Sequence, residues 1–449
     1  MSNTALREVE EQVLGSMGRP TGKYLTVLAL CGLLVFIGAV AYAYQYIAGM
    51  GVTGLSIPVG WAVYITNFVW WIGIAHSGTL ISAILYLFRT KWRNRINRSA
   101  EAMTIFAIMT AGMFPLIHLG RVWVFYWLLP YPNWRHLWPN FKSPLVWDVV
   151  AVTTYFIVSL LFFYLGMIPD LAAARDHTPE GRRKTMYRIL ALGWTGRWEQ
   201  WRHYARGYTA LAALATPLVI SVHSIVSWDF AMSLVHGWHT TIFAPYFVAG
   251  AIHSGLAMVI TLLVPLRRVL RLERLLTVYY FEQMALLMIL TGSIVAYSYA
   301  VEVFMSWYSA DIFERQFIVY RAFGSLAYSP LYWLMIVFNV VVPMTFFSKR
   351  LRTNLRYLFV AAILVNIGMW IERFVIIVVS LSHDFLPSSW GVYAPRLPEI
   401  LITGLSFGFF LALFLLFVKY FPSIPMSEVK EEIVHEQSKS LSEAGGGNG

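Results

Sequence analysis

One cysteine, Cys31, is all the thiol chemistry available in 449 residues. It lies inside an apolar run. An internal disulfide, a thiolate-held iron–sulfur cluster and a C-x-x-C-H haem attachment are therefore excluded. Charge is also scarce: Asp, Glu, Lys and Arg make up 13% of the chain. No nucleotide-binding motif is present. The opening stretch, "MSNTALREVEEQVLGSMGRPTGK", is polar and charged, and no cleavable signal peptide is expected there.

What fills the chain is apolar residue, 58% of it, with a mean hydropathy of +0.61. These residues come in long runs, and about 20 of them in a row span a bilayer. Ten such segments lie at 23–48, 60–88, 101–129, 144–169, 208–229, 243–266, 276–305, 331–348, 356–381 and 399–420. Only helices or closed barrels satisfy backbone polar groups in lipid, and these runs are too long and too continuous for barrel strands. The expected fold is an all-α polytopic membrane protein. Residues 1–22 form a polar N-terminal segment, and the charged, then glycine-rich tail 421–449 is expected to be disordered.

Loop charge orients the segments. Of the 34 Lys and Arg residues, 27 fall in the two terminal segments and in the loops 89–98, 170–206, 267–274 and 349–356. Arg135, Lys142, Arg315, Arg321 and Arg396 lie in the opposite loops, and Arg121 and Arg373 lie within spans. The positive-inside rule then places both termini in the cytoplasm of an inner-membrane protein. It also accounts for the net charge of +11 without nucleic acid.

The chain repeats itself. His76-Ser77-Gly78 recurs as His253-Ser254-Gly255, and Gly60-Trp61 as Gly237-Trp238, both at an offset of 177. "SPLVW" (143–147) recurs as "SPLYW" (329–333) at an offset of 186. The spacing predicts two parallel copies of a four-helix bundle, segments two to five (60–229) and six to nine (243–381), flanked by segments one and ten. The copies differ. Leu334 stands where Asp148 follows "SPLVW", and Tyr299 falls opposite His118 when segments three and seven are aligned. The first bundle is thus expected to be the working one.

Ionisable groups cost roughly 2.5–3.5 kcal/mol each at mid-membrane and less near the interface. Orientation puts His118, Arg121, Asp148, His223 and Asp229, with His236 and His239 in the following loop, toward the outer face of the first bundle. The segment "PYPNWRHLWPNFK" (130–142) adds Trp134, His136 and Trp138. His118 and Arg121, at i and i+3, are expected on one helix face. Arg121 either tunes that site or snorkels to the interface. Asp148 also fits a helix-start carboxylate. His76 and His253, kept in both copies, read as architecture, the small residues beside them allowing close helix approach. Glu282, Glu302, Glu372 and Arg373 in the second bundle read either as ion pairs, with Arg373 joined to Glu302 or Glu372, or, with His76 and His253, as a proton path.

These stretches resemble a known family. "GWAVYITNFVWWIGIAHSGTLISA", "GMFPLIHLGRVWVFYW", "SPLVWDVV" and "SVHSIVSWDFAMSLVHGWHTTIFAPYFVAGAIHSG" are similar to the NrfD/PsrC-type membrane subunits of iron–sulfur quinone oxidoreductases, over residues of about 20 to 420. Within that family the resemblance is to the ActC-type subunit of bacterial alternative complex III, with the paralogous ActF type as the alternative. The resemblance implies quinol or menaquinol as substrate, oxidised near the outer face, and no metal, haem or cluster on this chain. It implies partners too: an iron–sulfur subunit on the outer side, c-type haem subunits, a paralogous membrane subunit and lipids. His118 and Asp148 are the carried-over catalytic candidates, with His118 as the hydroxyl partner and Asp148 as the proton acceptor; Arg121, His223, Asp229, His236 and His239 are the further quinol-binding candidates. Imidazole and buried carboxylate suit proton removal at neutral pH. Two other readings stay open on the residues alone: a haem b cytochrome using pairs among His76, His118, His223 and His253, and a secondary transporter.

Overall fold

The structure is a computed structural model that describes residues 2–18, 20–129 and 141–445. Among the described residues, ten helices are long and apolar enough to cross a membrane, as the sequence predicts. In chain order the helices are α1 (Ser2–Ser16), α2 (Gly22–Ala48), α3 (Val63–Leu87), α4 (Asn97–His118), α5 (Pro144–His177), α6 (Arg182–Leu190), α7 (Trp198–Ala231), α8 (Phe243–Val269), α9 (Val278–Tyr308), α10 (Ile312–Val319), α11 (Ser329–Phe347), α12 (Leu355–Ser382), α13 (Leu397–Tyr420) and α14 (Met426–Gly445). All but α1, α6, α10 and α14 are membrane spans. Local signals set their ends. Pro144 and Pro330 open α5 and α11, where a missing N–H does no harm. The Asn354 side chain caps α12 by accepting from the N–H groups of Arg356 and Tyr357. Arg267 and Arg268 close α8 at the negative end of its dipole.

The two bundles expected from the repeat correspond to α3, α4, α5, α7 and α8, α9, α11, α12. Helices α3, α8 and α12 are buried over 78% of their most apolar stretch, α2 over only 17%. The core therefore lies where the bundles meet, and α2 and α13 pack as a flanking pair on the outside.

The His-Ser-Gly motifs make that meeting close. Ser77 of α3 donates to the Ile252 carbonyl of α8 at 3.1 Å. A Cβ on Gly255 would lie 2.1 Å from Ser77 Oγ and 2.6 Å from the Ile74 carbonyl oxygen. A Cβ on Gly78 would lie 2.0 Å from Thr104 Oγ1 on α4. The motif glycines are thus contact points for two different neighbours. The repeat tryptophans also meet, with the Trp61 and Trp238 rings 5.8 Å apart. The serine hydroxyls bond backbone carbonyls rather than imidazoles. His253 takes its hydroxyl partner from Thr291, at 3.0 Å.

The tail does not behave as its composition implies. Residues 426–445 form α14, which packs on α1 through buried Met426 and Val429 against Val9 and Val13. Glu428 accepts from Arg93 at 2.7 Å and Asn97 at 3.0 Å, Glu432 pairs with Arg95 at 3.5 Å, and Lys430 pairs with Glu10. Acidic residues one turn apart on α14 meet the basic loop after α3. Composition alone hides this pairing because the partners lie more than 300 residues apart in sequence. Both termini lie on one face of the bundle; the opposite face is called the far face below.

The α3–α8 contact yields a direct test. Gly255→Leu should lower the stability of the solubilised protein by about 1–3 kcal/mol through overpacking. Gly32→Leu, at a position with nothing within 4 Å of the new Cβ, should change it by less than about 0.5 kcal/mol. Equal thermal unfolding midpoints for the two variants would remove the seam from its central role.

Candidate functional site

The far ends of α5 and α7 bring two carboxyls together. The two helices run antiparallel and are locked at the opposite end by the stacked rings of Phe162 and Tyr208, 4.4 Å apart. At the far end, the Trp147 and Trp228 rings meet at 6.0 Å. Asp148, in the second turn of α5, and Asp229, in the last turn of α7, then come within hydrogen-bonding reach of each other. Asp148 is buried and Asp229 half-buried, and Oδ1 of each has no hydrogen-bond partner among the described residues.

His118 is the last residue of α4. It is half-buried, and its Nδ1 has no hydrogen-bond partner among the described residues. The helix does not continue to Arg121. Gly120 takes a left-handed φ of 67° and a 3-10 turn follows over Val122–Leu128. Arg121 is therefore exposed and does not share a helix face with His118. The sequence reading of an uninterrupted helix to residue 129 fails at this glycine. Trp134, His136 and Trp138 lie outside the described residues.

His223, expected in the outer half of its helix, lies deeper than the carboxyl pair. Its ring meets His76 of α3 edge-on at 4.5 Å. His76 Nδ1 donates to the Ile72 carbonyl at 2.7 Å, because a carbonyl can only accept. Its Nε2 and both His223 nitrogens are buried without a hydrogen-bond partner among the described residues. Tyr155 of α5 lies 5.4 Å from His76 and donates to the Ala75 carbonyl at 3.1 Å. The two imidazoles are packed too closely for a haem macrocycle to sit between them.

His236 and His239 do not join the carboxyl pair. Gly237, at φ 76°, donates its N–H to Glu314 of α10 at 3.1 and 3.2 Å, which draws this loop over the second bundle. His236 is there bonded to the His383 carbonyl, with its ring 5.5 Å from Phe317 and 4.9 Å from Phe385. Burial pushes the Glu314 carboxyl up, against the Gly237 N–H that favours its charge. His239 is exposed.

The second bundle carries paired charges instead. Glu372 meets Arg373 at 3.0 Å and the Tyr299 hydroxyl, and accepts from Asn339 Nδ2 at 3.2 Å. The Arg373 guanidinium lies 4.1 Å over Phe247, whose ring is 5.8 Å from His223. Polar and aromatic groups thus run from His76 through His223, Phe247, Arg373 and Glu372 to Tyr299. A Cβ at Gly250 of α8 would come within 3.1 Å of Arg373 Nη2, so this glycine makes room for the guanidinium against α8. Glu302 pairs with Arg321 at 2.7 Å, and Glu282 with Arg352 at 2.9 Å on the termini-bearing side. The ion-pair reading of Arg373 holds, with Glu372 as its partner. Among the described residues, no three His, Cys, Asp or Glu side chains converge as a metal site.

Sequence reasoning misses several groups. Arg321 counts as a loop charge in the sequence, yet it is buried. At the termini-bearing end, fully buried Arg98 contacts Glu101 at 2.8 Å, the Gly166 carbonyl at 2.6 Å and Asp170 at 3.4 Å, while Tyr208 donates to Glu101 at 3.2 Å. On the far side, Glu399 accepts from Tyr393 at 2.6 Å and the Gly54 N–H at 2.7 Å. The usable signal is acidic residues just inside the ends of the apolar runs, where they need buried partners.

Known proteins are similar to this chain in sequence. A putative dimethyl sulfoxide reductase membrane subunit of Halobacterium salinarum is 30% identical over 55% of this chain and 52% of its own length. A selenate reductase subunit of Mesobacillus selenatarsenatis is 24% identical over 53% of this chain and 55% of its own. The chain thus spans about half the length of these two relatives. An Hdr-like menaquinol oxidoreductase integral membrane subunit of Archaeoglobus fulgidus is 22% identical over 92% of this chain and 98% of its own. The family described as "Polysulphide reductase, NrfD" matches residues 51–383, from the loop before α3 to the end of α12, and so takes in the Asp148–Asp229 pair and the α3–α8 seam: the chain belongs to the NrfD family.

Proposed function

We propose that this chain is the quinol-binding membrane subunit of a multi-subunit oxidoreductase, and that it takes protons from quinol at the far end of the first bundle. The observation that carries the reading is the contact between Asp148 and Asp229, two carboxyls from different helices, each with a buried Oδ1 that has no hydrogen-bond partner among the described residues. Quinol oxidation releases two protons and two electrons. A proton bridging two carboxyls removes the repulsion between them, and a second can be taken when it leaves. His118 at the end of α4, whose Nδ1 has no hydrogen-bond partner among the described residues, supplies a hydrogen-bond partner for a quinol hydroxyl. The name of the Archaeoglobus relative, which aligns with 92% of this chain, supports quinol as the substrate class.

The basic loops favour a far face on the outer side, with both termini in the cytoplasm. Protons taken from quinol would leave there, and electrons would pass to an iron–sulfur subunit docked on the same face. The exposed Trp123, Phe125 and Trp127 and the fully exposed Leu326 support such docking. This arrangement is the one expected of an alternative complex III-type assembly, whose electron path also runs through c-type haem subunits and whose membrane part holds a paralogue of this chain. The row from His76 to Glu372 supports a second element of the reading, proton movement between the bundles.

Asp148→Asn and Asp229→Asn should each reduce quinol-dependent electron transfer in the intact complex by about 10²-fold or more, with assembly unchanged. Arg121→Gln, at an exposed position, should leave it within about twofold. Turnover at the parental rate in both aspartate variants would sink the site. Glu372→Gln tests the inter-bundle row separately. In vesicles it should lower the number of protons released per electron while quinol oxidation continues, and an unchanged ratio would rule that row out as a proton path.

A further inference from the structure

The second bundle has a groove of its own. Between α9 and α11 the helix surface holds a shallow, open groove of about 520 Å³ lined by Tyr299, Ala300, Val303, Phe304, Trp307 and Tyr332. Its rim residues Ala300, Val303, Phe304 and Trp307 are exposed on the helix surface and open the groove to the bilayer side. Its floor residues Tyr299 and Tyr332 are 6% and 7% exposed.

Three features separate this groove from an ordinary lipid contact. Four of its six lining residues are aromatic. Flat walls suit a flat conjugated ring, through offset or edge contacts, better than a flexible acyl chain. Behind the floor stand two buried ion pairs: the Tyr299 hydroxyl bonds Glu372, which pairs with Arg373, and Arg321, paired with Glu302, lies 4.9 Å over the Tyr332 ring. Finally, position in the repeat is informative. Tyr299 falls opposite His118 and Leu334 opposite Asp148, so α9 and α11 are the counterparts of α4 and α5. The groove thus lies between the counterparts of the helix that ends at His118 and the helix that carries Asp148.

We propose that the α9–α11 groove is a second binding site for a quinone-class ring and the start of its isoprenoid tail, one that holds the ring without oxidising it. The ligand class rests on the functional reading above; the site does not. No free base faces this groove: Leu334 replaces Asp148, Tyr299 replaces His118, and Glu372 is already paired. The ring is held by stacking against Phe304, Trp307 and Tyr332. The site would keep a quinone at the protein surface, a step away from the reacting bundle.

The test uses the intact complex and a photoreactive azido-naphthoquinone carrying a short isoprenoid tail. Labelled peptides are mapped by mass spectrometry. The parent complex should be labelled within residues 299–307 or at Tyr332. Ala300→Trp, which fills the groove from an exposed position, should lose that label while keeping quinol-dependent turnover. Val303→Trp fills it from the next turn and serves where Ala300→Trp fails to assemble. Asp148→Asn should do the reverse, losing turnover and keeping the α9 label. No label on α9 or α11 in the parent, or undiminished label in an assembled groove-filled variant, overturns the proposal. So does recovery of phospholipid alone from the groove. Failure of the functional reading would show instead as unchanged turnover in the carboxyl variants, whatever the label does.

Discussion

The molecule depends on one close helix contact. Gly255 lets α8 approach α3 until Ser77 can donate to a backbone carbonyl across the seam. In lipid there is no hydrophobic force to press helices together, so small residues and interhelical hydrogen bonds must do it. The consequence reaches beyond packing. Because the seam is tight, the buried edges of the two bundles face each other, and His223 of one comes within ring contact of Phe247, over which Arg373 of the other is placed. A looser seam would leave those groups facing lipid or empty space.

The charged groups that this core tolerates are held in place by partners. Arg98, Arg321 and Arg373 are all buried and all meet carboxylates. A single unpaired charge at such depth is strongly unfavourable. Arg98 and Glu101 sit near one end of the first bundle, and Glu302 and Arg321 near the other end of the second. Each cluster ties a helix to its neighbour or to a loop where the bilayer gives way to water. The C-terminal helix extends the same rule past the membrane, with Glu428 and Glu432 meeting Arg93 and Arg95.

Much of this is legible in the sequence because it is periodic or counted. Ten spans, the sidedness bias of the basic residues and the repeated His-Ser-Gly motif need no knowledge of contacts. Asp148 stands out because its repeat counterpart is Leu334. Its partner Asp229 is a candidate in its own right, but nothing in the pattern joins the two, since 80 residues and a long loop separate them. The errors come from single residues with special geometry. Gly120 ends α4 and removes Arg121 from the face of His118; Gly237 turns the following loop toward Glu314 and takes His236 with it. A glycine inside an apolar run looks like any other small residue until its φ is known. The tail misleads for a different reason: its ion partners are more than 300 residues away.

Each copy of the bundle buries a carboxyl and completes it differently. In the second, Glu372 meets a guanidinium, a phenol and an amide. A carboxylate so supplied has its charge met by its neighbours, and any proton it passes must travel along those bonds. In the first, Asp148 meets another carboxyl. That contact is unfavourable while both are charged and is relieved whenever a proton is bound. Duplication thus leaves one bundle with a carboxyl set against a guanidinium and the other with a carboxyl set against a second carboxyl. The proposed proton-shedding chemistry has a physical reason to occur beside the carboxyl pair, where a bound proton relieves the repulsion.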